Sequence, residues 1–210
     1  PETGDLFETD VEEIGAETGE LTSADLELLT ALDALYQASD RIAIKKLSVN
    51  DRSWAWPVKQ GNQDGVYISQ ELRGGFFPPD AAVPARPDKP HIRDMSVPIH
   101  WPQAPQEEQR VARYVRYTNK GSETHLTRLP RSIFSRAWQA SLLVIGRTGQ
   151  MPGLEMQALL VDARSAVYPM LEARFDLRPD FLIGVFDTPA NSTMPARDVD
   201  ELQLYIDEAI

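Results

Sequence analysis

The stretch Lys45-Lys46-Leu47-Ser48-Val49-Asn50-Asp51-Arg52 gathers two point cations, one forked guanidinium and the short polar groups of Ser48, Asn50 and Asp51. Cations of this kind neutralise phosphates, while short amide, carboxylate and hydroxyl groups reach the donors and acceptors on base edges. A second stretch, residues 113–131, carries Arg113, Arg116, Lys120, Arg128 and Arg131, with Asn119, Ser122, Glu123, Thr124 and His125 around a turn. Basic residues on a two-stranded ribbon with a polar tip suit a major groove about 12 Å wide. Trp54 and Trp56 are two apart, so an extended chain shows both on one face, where they would stack on bases or wedge beside them. Each feature also has a plainer reading. The polar stretches suit solvated loops, and paired tryptophans more commonly cover a core.

Other chemistry is poorly served. His91, His100 and His125 are far apart, no cysteine is present, and neither His-x-Glu nor His-Glu-x-x-His spacing occurs. Zinc ligation is therefore not expected. A metal-dependent nuclease needs carboxylates converging with a lysine to hold Mg²⁺ and an activated water. The acids near Asp162, Asp180 and Asp187 do not complete such a set. Phosphate-cradling Gly-x-x-x-x-Gly-Lys, dinucleotide Gly-x-Gly-x-x-Gly and Gly-x-Ser-x-Gly elbows are missing as well. The expectation is a binding surface with no catalytic set, metal or cofactor of its own.

The net charge of -11 over 210 residues seems to oppose a nucleic-acid partner. Its distribution reverses that reading. The first 40 residues hold 12 acidic and no basic side chains, whereas residues 41–136 carry 16 basic against 9 acidic. The last 16 residues are acidic again. Single-sign blocks at a terminus read as solvated tails, so residues 1–20 are expected to be an acidic linker or tail and residues 21–210 the folded domain. No apolar run is long enough for a membrane span, and the lack of cysteine fits the cytoplasm. A start at proline, without a signal segment, reads as a piece of a longer protein.

The elements that must carry these residues follow from periodicity. Leu26, Leu29, Leu32, Leu35 and Tyr36 recur at helical spacing over about residues 24–38, with Ser23 as the expected N-cap. Alternation marks strands around Ile42 to Ile44 and Val66 to Ile68, and from Val111 to Tyr117. The turn Asn119-Lys120-Gly121 then leads to a partner strand at His125 to Leu129. Two apolar runs, Ser141 to Ile145 and Met156 to Val161, form a second hairpin buried on both faces. A helix near Ala166 to Phe175, a strand at Phe181 to Val185 and a helix from about Val199 to Glu208 complete the series. Residues 73–105 are proline-rich and read as mostly loop, with Pro98 restricting Val97 to Trp101 to an edge strand or bulge. The class is mainly β with flanking helices (α+β), drawn as a closed or partly closed barrel.

The order IAIKKLSVND, GNQDGVYIS, RVARYVRYTNKGSETHLTRL, SLLVIG and MQALLVDA resembles the N-terminal effector domains of EcoRII-type restriction endonucleases. These share the B3-like DNA-binding pseudobarrel with plant B3 domains. The resemblance covers roughly residues 26–190. It implies sequence-specific binding of double-stranded DNA by two arms that grip the major groove. The N-arm would be about 45–63, adding Lys59, Asn62 and Gln63 to the contact candidates, and the C-arm about 113–131. It also implies a catalytic nuclease domain of the same parent protein outside this chain.

Two alternatives stand beside it. One is a modified-base (methylcytosine) reader that holds a flipped base between Trp54 and Trp56. The other is a protein-interaction module whose acidic tail binds a basic partner.

Overall fold

The computed structural model describes residues 21–58, 65–78, 82–121, 123–149 and 154–188. Lys59, Asn62, Gln63 and Ser122, the acidic leader and the expected helix at 199–208 lie outside the described residues.

Strands β1 (Arg41–Lys46), β8 (Leu142–Thr148), β9 (Glu155–Val161), β10 (Ile183–Asp187) and β5 (Ile99–His100) form one sheet, ordered β10-β1-β8-β9-β5. A second sheet is ordered β2-β7-β6-β4-β3, from β2 (Gly65–Tyr67), β7 (Glu123–Thr127), β6 (Ala112–Tyr117), β4 (Lys89–Val97) and β3 (Ala85–Arg86). All pairings are antiparallel except β5 with β9. The class is mainly β with flanking helices, as the sequence indicates. The expected barrel is not closed: among the described residues the sheets remain two separate hydrogen-bonded units.

Period-2 geometry sorts the side chains of the first sheet into two cores. Ala43, Leu143, Ile145, Ala158 and Leu160 face the gap between the sheets, with Val66, Tyr114 and Leu126 from the second sheet. Ile42, Ile44, Leu142, Val144, Leu159 and Val161 face the other way, against Leu29, Leu32 and Leu35 of α1 (Ser23–Ala38) and Val167 and Leu171 of α5 (Val167–Arg174). The middle layer is therefore apolar on both faces, which is why β8 and β9 read as unbroken hydrophobic runs. Helix α1 can pack this closely because residue 146 is glycine: a Cβ there would lie 2.1 Å from Ser39 Oγ.

Two expectations need correction. Thr22, not Ser23, caps α1, in a reciprocal pair with Asp25. Residues 73–105 are not mostly loop, since β4 is nine residues long and occupies the second sheet beside β6. Its Pro90 falls near the strand start, and its inward Arg93, Met95 and Val97 hid the alternation. Pro98 does mark a break. There the chain leaves β4 in the second sheet and enters β5, an edge strand of the first.

Candidate nucleic-acid interface

The segment after β1 turns on one carboxylate. Asp51 Oδ2 accepts from Ser48 N at 3.0 Å and Ser48 Oγ at 2.7 Å, and Oδ1 accepts from Tyr67 N at 2.9 Å. Lys45 Nζ lies 3.0 Å from the same carboxylate. Asp51 thus closes the segment by joining its start to β2. The short helix α2 (Asn50–Ser53) presents Asn50 to solvent but buries Arg52, whose guanidinium donates to Ala137 O. Burial lowers the Arg52 pKa, opposed by the nearby Asp162 and Asp51. Trp54 donates from its indole nitrogen to Asp51 O at 2.8 Å and packs on Phe134 with centroids 5.3 Å apart. Trp56 lies under the Arg52 guanidinium at 5.7 Å. Lys46 reaches Pro179 O at 3.4 Å.

The second basic stretch forms the β6–β7 hairpin. Ladder register puts Arg113, Val115, Tyr117, Glu123, His125 and Thr127 on the outer face, and Ala112, Tyr114, Arg116, Thr124 and Leu126 toward the other sheet. Arg113 is ion-paired with Asp94 of β4. Arg116 lies inside beside Arg73, and both burial and that neighbour lower its pKa. Arg73 also bonds Thr124 Oγ1 at 3.5 Å. His125 is buried between Tyr67 and Tyr117, with Nε2 at 2.7 Å from Glu123 Oε1. At the turn, Asn119 and Lys120 are exposed, Lys120 Nζ sits 5.4 Å from the Tyr117 ring centroid, and Gly121 takes φ 60°. Arg128 is exposed, also at positive φ, just past β7.

Strand register shows which of these groups share an end of the molecule. Gly65, where the first segment rejoins the second sheet, stands opposite Thr127 at the far end of β7 from the turn. The step from Glu123 to Thr127 covers about 13 Å at ~3.3 Å per residue. Residues 45–58, Arg128 and Arg131 therefore lie together, while Asn119, Lys120 and Glu123 stand at the opposite end.

Another segment shares the first end. Ala112 opens β6 opposite Val97, so the loop over residues 101–111 emerges beside Thr127 and Arg128. It is folded on Gln109, whose side chain accepts from Trp101 N at 3.2 Å and donates to Trp101 O and Ala104 O. Gln103 is bonded in both directions to the Leu160 backbone. Gln106, Glu107 and Arg110 are exposed. Sequence reasoning passed over this loop because its composition is proline- and glutamine-rich, not basic. The only hints were its polar side chains and the cation at 110.

Between the two segments sits α4 (Arg131–Arg136). Arg131 Nε donates to Ala55 O at 2.9 Å and its guanidinium also reaches Trp56 O. On the other side Glu108 Oε2 accepts from Ser132 N at 2.9 Å and Ser132 Oγ at 2.8 Å. Phe134 is fully buried, with Trp54 on one side and Trp101, at 5.7 Å, on the other.

Among the described residues no group of three or more His, Asp or Glu side chains could hold a metal ion, and no helix is long and apolar enough to cross a membrane. No family model matches the chain, and no curated protein matches its sequence. Among solved structures, the chain is similar to the B3 domain of the UbaLAI restriction endonuclease, crystallised with cognate DNA. The identity is 16%, the TM-score 0.45, and the match covers 76% of this chain and 98% of that one.

Proposed function

We propose that this chain is a sequence-specific duplex-DNA-binding domain of the B3-like type, serving in the cytoplasm as the recognition module of a restriction endonuclease. Its nuclease domain would lie outside this chain, and residues 1–20 would be an acidic linker. The observation that carries this reading is the gathering, at one end of the sandwich, of two polar segments that each cross from one sheet to the other. Lys46, Arg110, Arg128 and Arg136 supply cations around them. Such an end can straddle a groove, with phosphate contacts setting position and short polar side chains reading bases.

One arm is the 45–63 segment, as the resemblance implies. Geometry favours the 101–111 loop, with Arg128 at its root, as the second arm. The β6–β7 turn points from the opposite end of the sheet and would need a separate DNA contact. The methylcytosine alternative loses support at Trp54, whose ring is packed and whose N–H is already bonded.

Selection of bound duplexes from a randomised library, followed by salt titration of the selected duplex, tests the reading. Log affinity is expected to fall linearly with log salt, and Arg128→Ala and Arg110→Ala are each expected to reduce the slope by about 0.9. Lys120→Ala should leave it unchanged. The opposite pattern would make the hairpin turn the arm, and a flat salt dependence of the unaltered protein would end the nucleic-acid reading.

A further inference from the structure

We infer that α4 is a spacer that fixes the distance between the two arms, with Arg131, Arg52 and Glu108 as positioning residues and not DNA contacts. This rests on the two-segment reading above.

Three independent contacts join α4 to its flanking segments. Arg131 uses two sides of its guanidinium on consecutive carbonyls, Ala55 O and Trp56 O. Arg52 returns a bond from that segment to Ala137 O, just past the helix. A guanidinium fork satisfied by backbone carbonyls has fewer donors and less freedom for phosphate than an exposed one. On the opposite flank, Glu108 accepts from the backbone and hydroxyl of Ser132 in the first turn, where a carboxylate is favoured by the helix dipole. Beneath these polar ties, Phe134 fills the space between Trp54 of one segment and Trp101 of the other. Moving either segment relative to α4 would open a gap around Phe134 and break a hydrogen-bonded pair.

The spacing of two arms that enter one groove decides which base edges they reach together. A spacer therefore acts on discrimination between duplexes more than on general affinity. Phosphate contacts behave oppositely, weakening all duplexes and lowering the salt slope.

The test uses Arg131→Ala, Arg131→Lys, Glu108→Ala and Glu108→Gln in the whole chain. Hydrogen–deuterium exchange of the free protein is measured first. Arg131→Lys and Glu108→Ala are each expected to speed exchange at least several-fold in both residues 49–58 and residues 101–111, and Glu108→Gln, which keeps an acceptor for Ser132 N, to restore most of the protection. If each variant loosens only its own segment, the spacer inference is overturned whether or not the protein binds DNA. Binding is then measured on the selected duplex and on an unrelated duplex of equal length. Arg131→Lys keeps the charge but cannot fork onto two carbonyls, so the affinity ratio between the duplexes should fall about tenfold with the salt slope unchanged. An unchanged ratio would overturn the role of α4 in discrimination, and an equal loss on both duplexes with a lower salt slope in Arg131→Ala, restored in Arg131→Lys, would make Arg131 a phosphate contact. If the unaltered protein binds neither duplex, the DNA reading fails while the exchange result still decides the coupling.

Discussion

Lys45 Nζ stands 3.0 Å from Asp51 Oδ2, and the Asp51 side chain is only 1% exposed. An ion held that far from water is stable only when its lone pairs are filled, and Ser48 and Tyr67 fill them. Asp51→Ala is expected to cost about 3–5 kcal/mol, because it orphans buried backbone donors together with the lysine. Lys45→Met should cost clearly less, since Asp51 keeps its three hydrogen bonds. Urea denaturation of both variants checks this. Equal losses would assign the stability to the ion pair and not to the turn that Asp51 closes.

The N-terminus of α1 offers a pH test. Hydrogen bonds from Ser165 first, then Thr22, hold the Asp25 carboxyl below its ordinary value of 3.8. A lowered folded pKa contributes stability that is present above the unfolded value and lost as pH falls through the folded one. Asp25→Asn should therefore lower the melting temperature at pH 7, and its difference from the unaltered protein should shrink as pH falls below 3.8 and through the lowered folded value. Thr22→Ala, which removes the cap itself, should cost about 1 kcal/mol. Thermal melts across that pH range measure both.

At the other extreme of pH, burial pushes the Tyr114 phenol up to about 12, with Arg73 and then Thr124 pulling the other way. The stability linked to that raised pKa is complete below pH 10 and fades as pH rises toward 12. Tyr114→Phe should leave part of the alkaline loss of stability absent. Ultraviolet titration of the folded protein should show late ionisation of Tyr114 and of Tyr168, whose pKa burial and then Glu172 also raise, and the part that disappears in the variant assigns Tyr114.

Gly65 begins β2 against β7, and a Cβ there would lie 2.1 Å from Leu126 O. Backbone cannot yield as a side-chain tip can, so Gly65→Ala should destabilise by about 1–3 kcal/mol or displace β2. Because Gly65 anchors in β2 the chain that follows the 45–63 segment, the same change should alter protease cutting within that segment. Limited proteolysis and a urea melt together distinguish displacement from simple loss of stability.

The sequence was most readable where a single period governed burial. Helix α1, strand β1, the β6–β7 and β8–β9 pairs, α5 and β10 lie within a few residues of their expected positions. Strand β4 was not, because it points Arg93 inward and carries proline near its start. Among the candidate contacts, Lys46, Asn50 and Arg128 are partly or fully exposed, and Trp54 covers the core as paired tryptophans commonly do, but type and spacing do not reveal that Lys45, Asp51 and Arg52 serve the fold. Such uses depend on Ala137, Tyr67 and Phe134, partners distant along the chain. The gathering of the 101–111 loop with the 45–58 segment was likewise invisible, because it follows from ladder register and from the change of sheet at Pro98.

That change of sheet has a mechanical meaning. Both the chain from β1 to β2 and the chain from β5 to β6 are anchored at one end in each sheet. On the proposed two-arm reading the sandwich would be the handle of a tool whose jaws are fastened across its two halves, and sliding one half over the other would shift both jaws at once. Ala43, Ala112 and Ala158 line the gap between the sheets, so enlarging a side chain there would push the halves apart and, on the same reading, change the width of the jaws.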